Sequence, residues 1–551
     1  MRKYLFVVVT LIVGISIGFL VQPLLSGDNI MNNIKKFSDA LNLTYKNYVE
    51  EVDTHQLVEA AIKGMLNELD VHSVYISAEE MKRVSEDLQG SFDGIGVEFD
   101  VINDSITVIA PIAGGPSEAL GVLSGDKIVK IDGINVVGIE RSEVPKKLKG
   151  PKGTTVEIDI HRIGESNLLH FAIKRDKIPL YTVDASYIID GTDIGVVEIN
   201  RFAQTTTDEM LEALRNLQKQ GMKKLILDLR GNPGGYLNQA YSVADEFISK
   251  GDTVVFTKGR VMGADEVYIA KGGDPFEKIP LIVLVNAGSA SASEIVTGSI
   301  QDLDRGLVVG ETTYGKGLVQ RQYPLDDGSS FRLTIAKYYT PSGRCIQRPY
   351  KDKDKYRHLA GRLELEEGSY VEDGYSKIKE QVIKLNQTAK GKDSISLDSL
   401  PLYKTKGGRL VFGGGGITPD YIIKSDTITN LSVEFRRKNL FNEFTDAYMQ
   451  REGKIVRQKY ENSFSEFIKN YSVNEDMLSE FKKLAESKGI KWDDSQYKID
   501  KDYLKIAIKA TISRIIWDRS KMIQIYSNID KQFQKAIELF PMAERLNNKK
   551  R

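Results

Sequence analysis

The spacing of hydrophobic and polar residues divides the chain into regions with different predicted structure. Residues 31–86 include LVEAAIKGMLNELD, where apolar positions recur every three or four residues, as on one face of a helix. Residues 87–174 include GSFDGIGVEFDVINDSITVIAP, where glycines interrupt alternating β-branched residues, as in short strands joined by turns. We therefore expect an N-terminal helical region and then a small, mainly β module, with RDKIPLY at residues 175–181 as a linker.

Strands and helices are expected to alternate between about residues 181 and 339. Helical patterns separate three strongly apolar strands, GVVEINRF, KLILDLR and PLIVLVN, and a further helix follows over SEIVTGSIQDLD. This order is typical of α/β folds, in which helices cover a mainly parallel sheet. The fold class predicted for residues 175–425 is therefore α/β.

The rest of the chain is more charged. Residues 350–410 begin with KDKDKY and show little periodicity, which indicates a surface excursion inserted in the α/β region. GGGGITPD follows this excursion and is expected to close the region. Residues 426–551 are helical in pattern and rich in charge, so we expect a helical extension packed on its own chain rather than an arm for a partner.

The first residues predict export. Arg2 and Lys3 precede YLFVVVTLIVGISIGFLV, residues 4–21, which contains no charge. No small-x-small cleavage site follows, so an uncleaved membrane anchor within residues 1–30 is favoured over a signal peptide, and a buried helix is the remaining alternative. The chain beyond residue 30 is then expected in the periplasm or cell envelope, held at the membrane by this segment.

Composition argues against several functions. The chain of 551 residues has 76 basic and 76 acidic side chains, so no basic surface for nucleic acid is expected. Cys345 is the single cysteine of the sequence, which excludes an internal disulfide and a multi-cysteine metal site. Neither a metal nor another cofactor is expected.

Three turns rich in glycine or serine follow predicted strands of the α/β region. They are DLRGNPGG at residues 228–235, NAGSASASEI at residues 286–295 and GETTYGKG at residues 310–317. Because α/β folds gather catalytic groups at the carboxyl ends of parallel strands, the three turns are expected to form one site. The third resembles a phosphate-binding loop, but Gly317 replaces the required Ser or Thr and no helical pattern follows, which disfavours nucleotide binding.

The second turn offers a nucleophile. A strand, a turn of small residues and a helix can expose Ser291 beside backbone N–H groups, although an ordinary helix cap has the same features. None of the five histidines lies between residues 181 and 339, so Lys316, flanked by glycines that allow close packing, is the candidate base. A lysine can accept a proton only where burial or a neighbouring cation lowers its pKa. Ser124 and Lys127 match a Ser-x-x-Lys spacing in the β module, which we interpret as accidental.

Together these motifs resemble the carboxy-terminal processing peptidases, also called tail-specific proteases. SASASEI, a GKG motif 25 residues after Ser291 and Gln320 match the family's Ser-Lys-Gln pattern, and DLRGNPGG, YYTPSGRCIQ and GGITPD also match. LDVHSVYIS at residues 69–77 resembles the family's Leu-Asp-Pro-His-Ser stretch, with Val71 in place of proline, and the motifs together cover roughly residues 60–425. The resemblance implies a crotonase-like peptidase core with an embedded PDZ domain. It also implies a serine endopeptidase that cleaves exported proteins at or near their C-terminal ends.

The resemblance assigns roles within the three turns. Ser291 is expected to attack the peptide carbonyl, Lys316 to take its proton and deliver it to the leaving amine, and Gln320 to hydrogen-bond the lysine. The backbone N–H groups of Gly235 and Ala292 are expected to form the oxyanion hole. The need for all these groups at one carbonyl explains why three separate turns have to converge.

Residues 87–174 are similar to a PDZ domain. The N–H groups of Ile95, Gly96 and Val97 are expected to bind a substrate's terminal carboxylate, while the peptide adds as a strand beside GVEFDVI. The alternative is a module that only gates the active site or packs on the core. The expected partners are proteins or peptides with accessible C-termini, and a homo-oligomer or an adaptor protein is left open.

Two other functions compete with peptidase activity. A catalytically idle PDZ scaffold that tethers envelope proteins would not need Ser291, Lys316 and Gln320 together. A crotonase-like acyl-CoA enzyme would share the oxyanion turns but would not need the PDZ module or export. The sequence therefore favours the peptidase.

Overall fold

The computed structural model describes residues 30–348, 367–368 and 402–548. The predicted membrane segment at residues 4–21 and most of the predicted excursion at residues 350–410 lie outside the described residues. The chain forms two compact units, one ending at Ser77 and including Gln322–Leu333, the other made of the remainder. Among the helices that the structure describes, none is long and apolar enough to span a membrane.

The smaller unit holds the LDVHSVYIS motif. Its elements are helices α1 (Ile30–Asn47) and α2 (Thr54–Asn67) and strand β1 (Val74–Ile76). The Asp70 carboxylate accepts the backbone N–H of His72 at 2.7 Å and the hydroxyl of Ser73 at 2.7 Å. These bonds form a tight turn that leads into β1, which pairs antiparallel with residues 330–332.

The β-rich module has the predicted character. It follows helix α3 (Ala78–Gln89) and contains β2 (Ser91–Gly94), β3 (Val97–Ile102), β4 (Ser105–Pro111), α4 (Pro116–Ala119), β5 (Lys127–Ile131), β6 (Ile134–Asn135), α5 (Val144–Leu148), β7 (Thr155–His161) and β8 (Leu169–Lys174). Its main sheet has the order β3-β4-β5-β7-β8, so β3 lies at an edge within the described part of the chain. Val156, Ile158 and Ile160 alternate along β7 and are buried, as the period of two predicts.

The predicted linker at residues 175–181 is wrong. It contains strand β9 (Asp176–Pro179), which pairs antiparallel with β2. Arg175, just before β9, is buried and donates to the Leu148 carbonyl oxygen at 3.0 Å. Only Ile178 of this strand is fully buried, so the sequence offers no alternation that would identify it.

The larger unit also contains the α/β domain, apart from residues 322–333, which belong to the smaller unit. Its elements are β10 (Val183–Ile188), β11 (Ile194–Ile199), α6 (Thr206–Lys219), β12 (Lys224–Asp228), α7 (Leu237–Asp245), β13 (Thr253–Gly259), β14 (Glu266–Ile269), β15 (Leu281–Val285), α8 (Ala292–Asp302), β16 (Leu307–Gly310), β17 (Leu318–Pro324), β18 (Ser330–Tyr339), β19 (Leu402–Lys404), β20 (Leu410–Phe412) and β21 (Tyr421–Ile422). A six-stranded sheet has the order β10-β11-β12-β15-β16-β21. Only the β10–β11 pair is antiparallel among its pairings, which confirms the mainly parallel sheet.

Helices from distant parts of the sequence cover the sheet. On one face, α6, α7 and α8 bury residues such as Leu214, Val243 and Ile295. On the other face, Phe533 and Phe540 pack against strand side chains such as Ile226 and Leu284. Both phenylalanines belong to the last helices of the chain. The sheet is thus covered on both faces, as parallel sheets require.

The predicted C-terminal extension is divided between two cores. Its helices are α9 (Asn430–Arg437), α10 (Leu440–Tyr460), α11 (Phe464–Asn470), α12 (Glu475–Ser487), α13 (Asp494–Ile516), α14 (Arg519–Ser527), α15 (Lys531–Glu538) and α16 (Phe540–Asn548). Helices α9–α14 build their own aromatic-rich core around Phe435, Phe481 and Leu504. Helices α15 and α16 instead pack on the sheet of the α/β domain. The sequence does not predict this, because an amphipathic pattern shows that a helix has a buried face but not which surface covers it.

The last part of the predicted excursion contacts the α/β domain through buried side chains. Strands β19 and β20 pair antiparallel, and between them Arg409 contacts Asp304 and Asp420, each at 2.6 Å. All three side chains are largely buried. Residues 402–410 are therefore anchored to the α/β domain, while Leu402, Lys404 and residues 406–408 are exposed at its surface.

Candidate active site

The three predicted turns lie at one edge of the parallel sheet. They follow β12, β15 and β16, which are neighbours in the sheet and run in the same direction. The Tyr314 N–H donates to the Ser289 carbonyl oxygen at 2.9 Å, and the Ala290 N–H donates to the Asn232 carbonyl oxygen at 3.0 Å. The structure thus brings the turns together as the sequence predicts.

Ser291 occupies a strained position immediately before helix α8. Its backbone has φ 55° and ψ −110°, a conformation that residues other than glycine rarely adopt. A sharp turn between a buried strand and a buried helix imposes this conformation. A Cβ atom on Gly234 would lie 2.8 Å from the Ser291 Cβ and 2.9 Å from the Ala292 nitrogen, so the first turn packs directly on the second.

Two backbone N–H groups beside Ser291 have no acceptor. Neither Gly235 nor Ala292 donates a hydrogen bond to any other residue that the structure describes. The Asn232 side chain holds the first turn in place, since it donates to the Ile199 carbonyl oxygen and accepts the Gly234 N–H. These two donors are the ones that the resemblance assigns to an oxyanion hole.

Glu294 connects the serine and lysine turns and was missed from the sequence. One carboxylate oxygen accepts the N–H of Ser291 at 2.8 Å and that of Lys316 at 2.9 Å. The other accepts the N–H of Gly315 at 2.7 Å and the Thr313 hydroxyl. Burial raises the pKa of Glu294, and the four donors oppose this rise because they favour the charged form.

A sequence signal for Glu294 does exist. It stands three positions after Ser291, which is the Ser-x-x-Glu spacing of a capping box. That motif predicts the bond from the Glu294 side chain to the Ser291 N–H, but it does not predict the tertiary bond to Lys316. The second contact makes the residue more than a helix cap.

Lys316 lies in the third turn and is half-buried. The Tyr338 hydroxyl lies 2.6 Å from the Lys316 carbonyl oxygen and 3.1 Å from that of Ser291. Both flanking glycines are closely packed: a Cβ on Gly315 would lie 3.0 Å from a backbone nitrogen, and one on Gly317 would lie 2.9 Å from another. The close packing that the glycines were expected to allow is therefore present.

Gln320 lies on β17, in the strand that follows the lysine turn. Its side-chain nitrogen is buried and has no hydrogen-bond partner among residues 30–348, 367–368 and 402–548. The predicted bond to Lys316 is thus not made by this nitrogen. Its role stays a prediction.

The other matching motifs brace the third turn. The Thr313 N–H donates to the Ile417 carbonyl oxygen at 3.0 Å, and the Thr313 hydroxyl oxygen accepts the Ile417 N–H at 2.7 Å. Ile417 belongs to GGITPD, so this motif holds the lysine turn in place. Gln347, the last residue of YYTPSGRCIQ, accepts the Gly317 N–H at 2.8 Å. Both motifs therefore act on the scaffold around the lysine turn.

The first turn begins with a charged cluster. Arg230 donates to Asp228 through two nitrogens, at 2.9 and 2.6 Å. Burial alone would lower the pKa of Arg230, but the carboxylates of Asp228 and Asp530 outweigh it and hold that pKa above its usual value. Burial, together with the carboxylates of Asp228 and Asp184, raises the pKa of nearby Glu198 to about 8.

The carboxylate-binding loop predicted in the β module also holds unused donors. Ile95 and Gly96 are buried, and neither N–H group donates a hydrogen bond within the described residues. Val97 begins β3, the edge strand, and packs with the module core, which includes Val144 of α5. By contrast, the Ser124 hydroxyl donates to the Ile109 carbonyl oxygen at 2.6 Å, a structural bond.

Comparisons with known families match four parts of the chain. Residues 193–354 match peptidase family S41, residues 94–174 match a PDZ domain, and residues 22–80 match the N-terminal domain of the activating protease CtpB. Residues 433–518, which form most of the separate helical core, match a family of unknown function.

Individual relatives agree with these matches. The chain is 39% identical to a carboxy-terminal-processing protease of Bartonella bacilliformis over 352 residues, 63% of this chain and 80% of the relative. It is 38% identical to the carboxy-terminal processing protease CtpA of Bacillus subtilis over 315 residues, 56% of this chain and 66% of the relative. A solved photosystem II D1 C-terminal processing protease shows 30% identity and a TM-score of 0.32, covering 56% of this chain and 89% of that one.

The relative from Bartonella bacilliformis is 39% identical to this chain over 80% of its own length, which shows the family to which the chain belongs. The chain belongs to the carboxy-terminal processing proteases of peptidase family S41, and it is a serine endopeptidase with a PDZ domain.

Proposed function

We propose that Ser291 is the nucleophile and Lys316 the general base of this protease, with Gln320 orienting the lysine. Peptide hydrolysis then proceeds through an acyl-enzyme. The Ser291 oxygen attacks the carbonyl carbon, its proton passes to Lys316, and Lys316 returns it to the leaving amine. Water then releases the acyl group.

The observation that carries this proposal is the shared carboxylate of Glu294. It fixes the backbone of Ser291 and of Lys316 through a single oxygen. The unused N–H groups of Gly235 and Ala292 support their role as donors to the tetrahedral oxyanion. The loss of one such donor lowers rates on the order of 100-fold in other enzymes.

A protein digestion tests the proposal. Wild type, Ser291→Ala and Lys316→Ala are each incubated with a loosely folded protein that ends in apolar residues. We expect cleavage by the wild type alone. Ser124→Ala is the matched control, because this serine belongs to the accidental Ser-x-x-Lys match and should leave cleavage unchanged. Equal cleavage by all variants would refute the proposal, and no cleavage by any would favour the idle scaffold.

We also propose that the PDZ domain binds the C-terminal carboxylate of substrates through the N–H groups of Ile95, Gly96 and Val97. The buried donors of Ile95 and Gly96 and the edge position of β3 support this role. Amidation of a substrate's C-terminus should weaken binding to Ser291→Ala protein. Equal binding of the acid and the amide would leave the module as a gate or packing element.

The environment of the enzyme is part of the same proposal. The uncharged segment at residues 4–21 supports an exported protein anchored at the cell envelope. Exposed apolar side chains on helix α1, namely Ile30, Ile34 and Phe37, support a homo-oligomer. Cell fractionation tests the anchor, and light scattering of wild type and Phe37→Glu tests self-association, with an adaptor protein as the alternative occupant.

A further inference from the structure

The start of helix α15 contacts the first active-site turn through Arg230. The Nη1 atom of Arg230 donates to Asp530 Oδ2 at 2.6 Å and to Gln532 Oε1 at 3.1 Å. On its other side the same guanidinium donates to Asp228, the last residue of β12. Arg230 therefore ties helix α15 to the strand end from which the Gly235 turn departs.

The same helix start also reaches the edge of the lysine turn. Gln532 is buried, and its side-chain nitrogen donates to the Ile423 carbonyl oxygen at 2.8 Å. The Ile423 N–H in turn donates to the carbonyl oxygen of Gly310, the last residue of β16. Gln532 thus links Arg230 in the first turn to the residue at which the third turn begins.

We propose that Asp530 and Gln532 are positioning residues for peptide hydrolysis. They hold Arg230, and through it the turn that ends at Gly235, in the geometry that the oxyanion requires. The inference rests on the proposed role of Gly235. It assigns a task to the C-terminal segment, which lies outside the S41 match at residues 193–354.

The surroundings explain why Arg230 needs a second acid. Glu198, Asp228, Arg230 and Asp530 line a cavity of about 380 Å³, so the guanidinium has room to swing away if an acceptor is lost. Paired hydrogen bonds with carboxylates fix a guanidinium in orientation as well as in position. Without Asp530, only Asp228 supplies a carboxylate bond, and the outer side of Arg230 keeps just the longer bond to Gln532, at 3.1 Å.

Asp530 also caps helix α15, so the test has to separate the two roles. Its Oδ1 atom accepts the Phe533 N–H at 3.0 Å, while Oδ2 accepts from Arg230. Asparagine caps helices as well as aspartate does. An Asp530→Asn side chain that keeps the cap must turn its NH₂ group toward Arg230, where two donors face each other.

Asp518 provides a matched control. It caps helix α14 by accepting the Lys521 N–H at 2.9 Å, is exposed, and forms no ion pair within the described residues. Asp518→Asn therefore makes the same chemical change at a helix cap without touching Arg230. Any effect specific to Asp530→Asn then reflects the guanidinium contact.

The experiment compares full-length wild type, Asp530→Asn and Asp518→Asn, with active sites counted by titration. We expect Asp530→Asn to lower kcat about 10-fold with KM unchanged, because the lost support acts on transition-state binding. The affinity for a peptide boronate, which forms a tetrahedral adduct with the serine, should fall by a similar factor. Asp518→Asn should match the wild type in both.

Wild-type kcat and boronate affinity in Asp530→Asn would overturn the inference. So would equal losses in both variants that follow their melting temperatures, because a merely structural role predicts them. Ser291→Ala, measured in parallel, keeps this result apart from the proposed function. If Ser291→Ala retains activity, the proposed function fails; if it is inactive while Asp530→Asn equals wild type, the positioning role alone fails.

Discussion

The carboxylate of Glu294 accepts the backbone N–H of Lys316 at 2.9 Å. Because the same oxygen accepts the N–H of Ser291, a single buried side chain sets the distance between the turns that carry the proposed base and nucleophile. All four acceptor positions of this carboxylate are used, and every partner is a donor. Glu294 can therefore fill its place only as an acceptor on both oxygens.

Glu294→Gln should be nearly as harmful as Glu294→Ala. The amide turns one acceptor into a donor, which faces two N–H or O–H groups in a buried site, and an unmet buried polar group costs about 1–3 kcal/mol. We expect kcat/KM to fall about 100-fold in a peptide-cleavage assay. Glu311→Gln is the control, since Glu311 belongs to the lysine turn that Glu294 contacts but accepts only the N–H of exposed Ser425 among the bonds that the structure describes. Near-normal activity of Glu294→Gln would show that the two turns do not depend on this link.

Lys316→Arg tests proton transfer rather than charge. Arginine keeps the positive charge but does not give up its proton near neutral pH, so the variant should be almost inactive if lysine is the base. Peptide cleavage is measured beside Lys337→Arg, an equivalent change at an exposed position of β18. Wild-type rates for Lys316→Arg would assign the lysine an electrostatic role only.

The contacts of Glu294 mark the limit of prediction from sequence. Ser291, Lys316 and their turns could be located because each feature is local: an apolar strand, small residues and then a change of pattern. The bond between Glu294 and Lys316 joins positions 22 residues apart and depends on how β15 and β16 lie side by side. No local pattern contains that information.

The same reasoning explains the errors at larger scale. Asp530 lies 300 residues from Arg230 in the chain, so their ion pair has no signature in either segment. Helix α15 resembles any charged amphipathic helix, although Phe533 packs against the peptidase sheet. Strand β9 has one fully buried apolar residue, so its sequence has no strand pattern and predicts a linker instead.

Gly234→Ala should abolish activity through a steric effect on the nucleophile turn. The added Cβ would lie 2.7 Å from the Ala290 carbonyl oxygen and 2.8 Å from the Ser291 Cβ, distances that real side chains do not reach. Gly231→Ala is the control: its φ is also positive, at 69°, but a Cβ there meets nothing within 4 Å. Both variants carry the backbone strain of about 1–2 kcal/mol for alanine at positive φ, so their difference in kcat isolates the clash. Equal kcat values for the two variants would show that packing of the first turn against Ser291 does not affect catalysis.

The raised pKa of Glu198 predicts how the stability of the fold depends on pH. Its pKa in the folded protein is about 8, against an ordinary value of 4.5, because of burial and the nearby Asp228 and Asp184. Between these two values the folded state keeps a proton that the unfolded state releases, so raising the pH through this window destabilises the fold. Glu198→Gln removes the titration. The variant should be more stable than wild type at pH 8.5, by at most about 5 kcal/mol in the free energy of unfolding, and should therefore melt at a higher temperature there. Near pH 4 the two proteins should be equally stable.

The measurement is thermal unfolding of both proteins across this pH range, with Glu140→Gln as the exposed control. Asp228 accepts hydrogen bonds from Arg230, and Glu198 faces the same guanidinium. A proton on Glu198 therefore removes one negative charge near Asp228, while Asp228 and Asp530 keep their bonds to Arg230. If Glu198→Gln is instead less stable than wild type at pH 8.5, the prediction is wrong, and the charged carboxylate of Glu198 stabilises the fold by its attraction to Arg230.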